Sequence, residues 1–146
     1  MDSAELIRLS APYSKWRPNF FASEKSRAAL IYAVDDDRNL TELYEMLLEA
    51  KGYRVRTFNN REQVPSLLRT DRTRPDLLIT DYLGRLIPAD RFVRSCRVLS
   101  PALRIMIASG FDHFGWRYSV TKPDRFILKP FTADAFLEQV HLALMG

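Results

Sequence analysis

Short apolar runs alternate along this chain with segments in which apolar residues recur three or four positions apart. The run Ala-Leu-Ile-Tyr-Ala-Val at 29–34 is apolar at every position, which is typical of a strand buried on both faces of a sheet. We predict further strands at 53–58, 77–80, 104–108 and 126–128. The apolar positions between and after these strands follow the helical period and predict amphipathic helices.

The order of these elements predicts an α/β fold with a parallel sheet, because strands that alternate with helices are joined by right-handed crossovers. Helices are expected around 40–48, 61–69, 92–99 and 133–144. Gly52 lies where a glycine commonly ends a helix, and Pro65 predicts that the second helix is short or kinked. In such sheets, functional side chains gather at the carboxyl ends of the strands.

Composition is that of an ordinary globular domain. A chain of 146 residues corresponds to about one domain, and its regular pattern occupies 29–146. Residues 1–28 contain Pro12 and Pro18 without a sustained period, so we predict a linker-like N-terminal extension there. The net charge of +4 comes from scattered lysines and arginines, and a nucleic-acid partner is not expected.

The single cysteine and the absence of long apolar runs indicate a cytoplasmic protein. Cys96 cannot form an internal disulfide, and its position in a predicted helix favours a buried packing role over a reactive thiol. No apolar run approaches the roughly 18 residues that a membrane span requires. The N-terminus also lacks the apolar core of a signal peptide.

Polar residues follow four of the predicted strands directly. They are Asp35, Asp36 and Asp37 after the first strand, Asp81 after the third, Ser109 after the fourth, and Lys129 after the fifth. Two carboxylates about 4 Å apart repel each other by roughly 4 kcal/mol at an effective dielectric constant near 20. A cation relieves this repulsion, and an all-oxygen set of ligands favours Mg²⁺. The metal, the lysine and the hydroxyl can then each bind one oxygen of a phosphoryl group on an aspartate.

Four motifs at these strand ends resemble those of response-regulator receiver domains of two-component signalling, of the chemotaxis-regulator type. The motifs are VDDD at 34–37, DLLITDY at 76–82, IASG at 107–110 and FILKPF at 126–131. The resemblance covers residues 29–145. It implies a flavodoxin-like (βα)5 three-layer sandwich, in which a doubly wound, five-stranded parallel sheet lies between two layers of helices.

The resemblance also implies roles for individual residues. Asp81 would accept a phosphoryl group from a sensor histidine kinase or a histidine phosphotransfer protein, while Ser109 and Lys129 would bind phosphoryl oxygens. Phe126 lies at the position of the family's switch aromatic. The implied Mg²⁺ ligands are Asp35, Asp36, Asp81 and the backbone carbonyl of Leu83. Asp37 is expected to cap a helix and not to bind the metal.

A receiver of this kind is a signalling module and not an enzyme acting on other molecules, although slow self-phosphorylation from small phosphodonors and self-dephosphorylation are expected of it. Its signal would leave through contact with an unidentified downstream protein or through residues 1–28, and a second copy of the chain in a homodimer is a further expected partner. The chain is expected to be a stand-alone receiver, with no membrane partner.

The residues after Asp81 depart from the family pattern. Gly84, Arg85 and Ala89 replace the methionine, proline and glycine that receivers usually carry there. This difference leaves open a degenerate receiver that acts as a phosphorylation-independent protein-interaction domain. A haloacid-dehalogenase-like phosphatase also uses a strand-end aspartate with Mg²⁺, but it requires an acid at the position of Leu83, which cannot transfer protons.

Overall fold

A five-stranded parallel sheet forms the centre of the protein. The computed structural model describes residues 28–70, 74–81, 89–110 and 122–146. The strands are β1 (Leu30–Val34), β2 (Arg54–Phe58), β3 (Leu77–Thr80), β4 (Arg104–Ser109) and β5 (Arg125–Leu128). Their order in the sheet is β2-β1-β3-β4-β5, and each neighbouring pair is parallel. All five strands were predicted, and each bound differs by at most one residue.

Helices cover both faces of this sheet. They are α1 (Arg38–Ala50), α2 (Gln63–Thr70), α3 (Ala89–Leu99) and α4 (Ala133–Met145). Buried side chains of α1 and α4 form one apolar cluster with the sheet, and those of α2 and α3 form a second cluster. The predicted doubly wound, flavodoxin-like sandwich is therefore confirmed. None of the described helices is both long and apolar enough to cross a membrane.

Some predictions concern residues that lie outside the described ranges. The N-terminal extension, the loop that carries Leu83, Gly84 and Arg85, and the segment between 111 and 121, where a further helix of the (βα)5 pattern is expected, belong to this group.

Local residue chemistry explains where the helices begin and end. Asp37 caps α1, because its carboxylate accepts a hydrogen bond from the backbone N–H of Asn39, and Thr132 caps α4 in the same way through Ala135. Gly52 follows α1 with a φ of 88°, a conformation that favours glycine. The helix α2 is short, as predicted, but Pro65 does not interrupt it. This proline is the third residue of α2, where the first-turn N–H groups have no partner within the helix.

Two aspartates tie neighbouring strands together at the amino edge of the sheet. The Asp76 carboxylate accepts a hydrogen bond from the backbone N–H of Leu30 at 2.8 Å, and the Asp76 N–H donates to the Leu30 carbonyl. Asp124 makes the same pair of bonds with Ile105. The residue before β3 is thus bonded to β1, and the residue before β5 is bonded to β4. These bonds agree with the register of the paired strands, and this register also decides which residues lie level with one another at the carboxyl ends.

Replacing Asp76 with alanine is expected to destabilise the fold by about 1 kcal/mol, because it removes the acceptor of the Leu30 N–H. Urea unfolding followed by circular dichroism measures this change. Glu42→Ala, which removes the same charge from an exposed position of α1, serves as the control and should change the free energy of unfolding by less than about 0.5 kcal/mol. Equal effects of the two substitutions would contradict the assigned role of Asp76.

Cys96 is expected to be unreactive in the folded protein. It lies fully buried in the cluster formed with α2 and α3, and burial raises the pKa of its thiol to about 12. The folded state therefore retains the thiol proton above the ordinary pKa of 9, so this group lowers stability as the pH rises from about 9 to about 12. Iodoacetamide labelling at pH 8 should be slow in buffer and fast in denaturant. Rapid labelling of native protein would contradict this environment.

Candidate functional site

The carboxyl ends of four adjacent strands bring the predicted site residues to one edge of the sheet. Val34 of β1 pairs with Thr80 of β3, so Asp35 and Asp81, the residues that follow them, come at the same level. Ser109 ends β4 and pairs with Leu128 of β5, which precedes Lys129. The parallel register therefore gathers residues that are far apart in the chain.

Three carboxylates converge at this edge. Asp35, Asp36 and Asp81 each offer an oxygen atom, and these atoms all lie within 4.8 Å of one another. We call these three residues the acidic cluster. Asp35 is buried, Asp81 is partly buried and Asp36 is exposed, so the cluster opens to solvent on one side. Oxygen ligands at this spacing can hold a divalent cation that prefers oxygen, and Mg²⁺ keeps several waters in sites of this kind.

Lys129 bridges two members of the acidic cluster. Its ammonium nitrogen Nζ lies 2.7 Å from Oδ2 of Asp35 and 3.6 Å from Oδ2 of Asp81. The backbone of Lys129 is held as well, because its N–H donates to the Ser109 carbonyl at 2.8 Å. The structure therefore places Lys129 beside Asp35 and Asp81, where its charge offsets the repulsion between the two carboxylates.

Several hydrogen bonds hold Asp35 within the acidic cluster. Its Oδ1 accepts a hydrogen bond from the backbone N–H of Asp37, and its own N–H donates to the Phe58 carbonyl of β2. Burial raises the pKa of Asp35 above its ordinary value, while the hydrogen bonds from Lys129 and from the Asp37 backbone oppose that rise. The surroundings thus hold Asp35 in a single orientation toward Asp81.

An aromatic stack beneath the site supports the turn that carries Lys129. Phe131, two residues further along the chain, stacks against Tyr44 of α1 and Phe136 of α4, with ring centroids 6.2 Å and 5.3 Å away. Tyr44 is fully buried, and burial, followed by the charge of Asp35, raises the pKa of its hydroxyl well above the ordinary value. Packing in the core therefore sets the position of the lysine.

Ser109 and Phe126 lie on neighbouring strands. Phe126 of β5 pairs with Ile107 of β4, and side chains alternate along a strand, so Ser109 and Phe126 belong to the same face of the sheet. Ser109 is buried and Phe126 is partly buried. The structure thus places Ser109 and Phe126 on the same face of neighbouring strands, whereas the carbonyl of Leu83 lies outside the described residues.

Sequence reasoning missed Arg61, a buried arginine close to the acidic cluster. Its Nε donates to the Thr80 hydroxyl at 3.3 Å, and its guanidinium carbon lies 5.6 Å from the centre of the Phe92 ring. Burial lowers the pKa of Arg61, while the charges of Asp81, Asp35 and Asp36 raise it. Arg61 follows the end of β2 by three residues, so applying the strand-end rule to β2 as well would have identified it.

Comparison with known proteins supports the resemblance stated from the motifs. No family model matches the chain. The response regulator MprA of Mycobacterium leprae is 28% identical over 116 residues, which are 78% of this chain and 50% of that protein. This chain thus spans about half the length of the curated relative that it matches.

Solved structures show the same fold. A CheY-like response regulator receiver domain protein from Methanospirillum hungatei superposes with a TM-score of 0.74 at 19% identity, covering 82% of this chain and 95% of that one. The chemotaxis protein CheY4 of Vibrio cholerae gives a TM-score of 0.73 at 20% identity, covering 81% and 100%. Together with the similarity to MprA, these matches confirm that the chain resembles response-regulator receiver domains and has their fold.

Proposed function

We propose that this chain is a phosphoacceptor signalling module that accepts a phosphoryl group on Asp81 from a histidine kinase or a histidine phosphotransfer protein. The observation that carries the proposal is the arrangement around Asp81. This partly buried carboxylate lies at a strand end, inside the acidic cluster and 3.6 Å from the Lys129 ammonium. The receiver fold and the similarity to a response regulator support the same function.

The arrangement suits attack by Asp81 on a phosphohistidine. An Asp81 oxygen forms a bond to phosphorus while the phosphorus–nitrogen bond to the donor imidazole breaks, and the imidazole leaves with the electron pair. Asp81 is accessible for this attack, since 18% of its side-chain surface is exposed. Lys129 then turns from the carboxylates to one phosphoryl oxygen, and the Ser109 hydroxyl donates to another.

The ligands present fit Mg²⁺. Asp35, Asp36 and Asp81 would hold it, with the backbone carbonyl of Leu83 completing the protein ligands. When bound, Mg²⁺ would neutralise negative charge on the phosphoryl oxygens. The stack of Tyr44, Phe131 and Phe136 would hold the turn that carries Lys129 in place during the transfer.

The module would act in the cytoplasm. The donor would be a sensor histidine kinase or a histidine phosphotransfer protein, and the output would pass to a downstream protein. Self-dephosphorylation would require attack by water on the aspartyl phosphate, which breaks the bond between phosphorus and the Asp81 oxygen and releases inorganic phosphate.

Magnesium is expected to raise the melting temperature of the protein by a few degrees at millimolar concentration, because it binds the folded acidic cluster and relieves repulsion between its carboxylates. Differential scanning calorimetry with and without Mg²⁺ tests this. Asp36→Asn should reduce the shift strongly, whereas Glu42→Gln on α1 should leave it unchanged. An equal shift in wild type and Asp36→Asn would place the cation elsewhere.

Incubation with acetyl phosphate and Mg²⁺ is expected to add one phosphoryl group to the protein, detected by intact-protein mass spectrometry. Asp81→Asn removes the nucleophile and should abolish the modification. Lys129→Met should lower its yield at least about tenfold, because a charge-assisted bond to the phosphoryl oxygen is lost. Modification of Asp81→Asn to the wild-type level would refute Asp81 as the acceptor.

Phosphorylation is expected to move Ser109 toward the phosphoryl group, and Phe126 should then turn inward into the space that Ser109 leaves. The two residues share one face of the sheet on paired strands, so a shift of one changes the room available to the other. Crystal structures with and without beryllium fluoride test this directly. An unmoved Ser109 and one Phe126 rotamer in both would favour the phosphorylation-independent interaction domain.

A further inference from the structure

Arg61 is a buried cation on the side of the sheet opposite to Lys129. Only 7% of its surface is exposed. It lies two residues before α2, with its guanidinium over the ring of Phe92 from the second apolar cluster. Its Nε donates to the Thr80 hydroxyl, which in turn donates to the backbone carbonyl of Asp81. A chain of two hydrogen bonds thus runs from the guanidinium to the backbone of the proposed phosphoacceptor.

A packing role alone does not account for a guanidinium at this position. An aliphatic side chain would fill the space beside Phe92 without the cost of removing a charge from water. The charge is retained in a place where all three carboxylates of the acidic cluster act on it. Side chains alternate along β3, so Thr80, which accepts the hydrogen bond from Arg61, belongs to the same face as Leu78 of the second apolar cluster.

We propose that Arg61 is a built-in counter-ion of the acidic cluster, a fixed positive charge that stabilises the three carboxylates when no cation is bound and weakens the binding of a divalent cation before phosphorylation. Arg61 acts through its field and through Thr80, so it is a positioning residue. The effect on cation binding rests on the proposed function. The effect on the stability of the cluster does not.

Formal charges explain why such a residue is useful. The three carboxylates carry three negative charges, and Lys129 and Arg61 carry two positive charges, so the net charge of the site is −1. A bound divalent cation changes this net charge to +1. A phosphoryl group replaces the single charge of Asp81 with close to two negative charges. The cluster with both cation and phosphoryl group is then formally neutral. Arg61 therefore biases the site against the cation alone and toward the cation together with the phosphoryl group.

The first test is a double-mutant cycle in the metal-free protein, with EDTA present. Arg61→Met keeps the aliphatic bulk and removes the charge, and Asp81→Asn removes the carboxylate most strongly coupled to it. Arg61→Met should raise the unfolding equilibrium constant roughly three- to tenfold more in wild type than in Asp81→Asn. Equal effects in both backgrounds would show a purely structural arginine and overturn the proposal. If Arg61→Met does not fold, Arg61→Gln takes its place in the same cycle.

The second test is Mg²⁺ affinity, measured by isothermal titration calorimetry. Arg61→Met should tighten binding by roughly three- to tenfold, because a like charge near the cation is gone. Arg61→Lys, which keeps the charge, should bind Mg²⁺ like wild type. Arg74→Met, which removes an exposed arginine near the amino ends of the strands, is the matched control and should change nothing.

The direction of the change separates the two explanations. A structural arginine would, on removal, loosen the cluster and weaken Mg²⁺ binding, so weaker or unchanged binding in Arg61→Met overturns the counter-ion assignment. If wild type binds no Mg²⁺, the metal site of the proposed function fails, and the double-mutant cycle alone decides the role of Arg61.

Discussion

Repulsion between carboxylates is the constraint on which the site depends. Three carboxylates within 4.8 Å of one another do not stay together unless the backbone holds them there and positive charge lies beside them. The parallel sheet meets the first need, because its register places Asp35 and Asp81 at one level. Lys129 meets the second through an ion pair with Asp35 that joins residues 94 positions apart in the chain.

Aspartates have different roles at the amino and carboxyl edges of the sheet. Asp76 and Asp81 bracket the four residues of β3, yet Asp76 accepts a backbone N–H and ties β3 to β1, whereas Asp81 faces other carboxylates. Asp76 contributes stability because its carboxylate accepts a backbone hydrogen bond. Asp81 lies among like charges, and such a carboxylate can bind a cation or react. Stability at the amino edge therefore supports reactivity at the carboxyl edge.

Charge at the site is balanced from both faces of the sheet. Lys129 approaches from the side of α1 and α4, where the stack of Tyr44, Phe131 and Phe136 fixes its turn. Arg61 approaches from the side of α2 and α3, where it bonds to Thr80 beneath Asp81. One cation touches the carboxylates and can exchange partners, while the other is buried and stays in place. In the proposed function, Lys129 changes partners when a cation or a phosphoryl group binds, while Arg61 keeps its position.

The sequence by itself determined the strands, the fold class and most of the strand-end residues. Buried parallel strands are continuous apolar runs, and parallel topology brings their carboxyl ends to one edge, so Asp35, Asp81, Ser109 and Lys129 could be named from local pattern alone. Helix ends were equally local, because capping by Asp37 and the positive φ of Gly52 depend on neighbours in the chain. Only the tertiary structure decided which carboxylate Lys129 contacts, that Asp76 and Asp124 join strands, and that Arg61 is buried and bonded to Thr80. These contacts link residues 19 or more positions apart, so no local pattern could specify them.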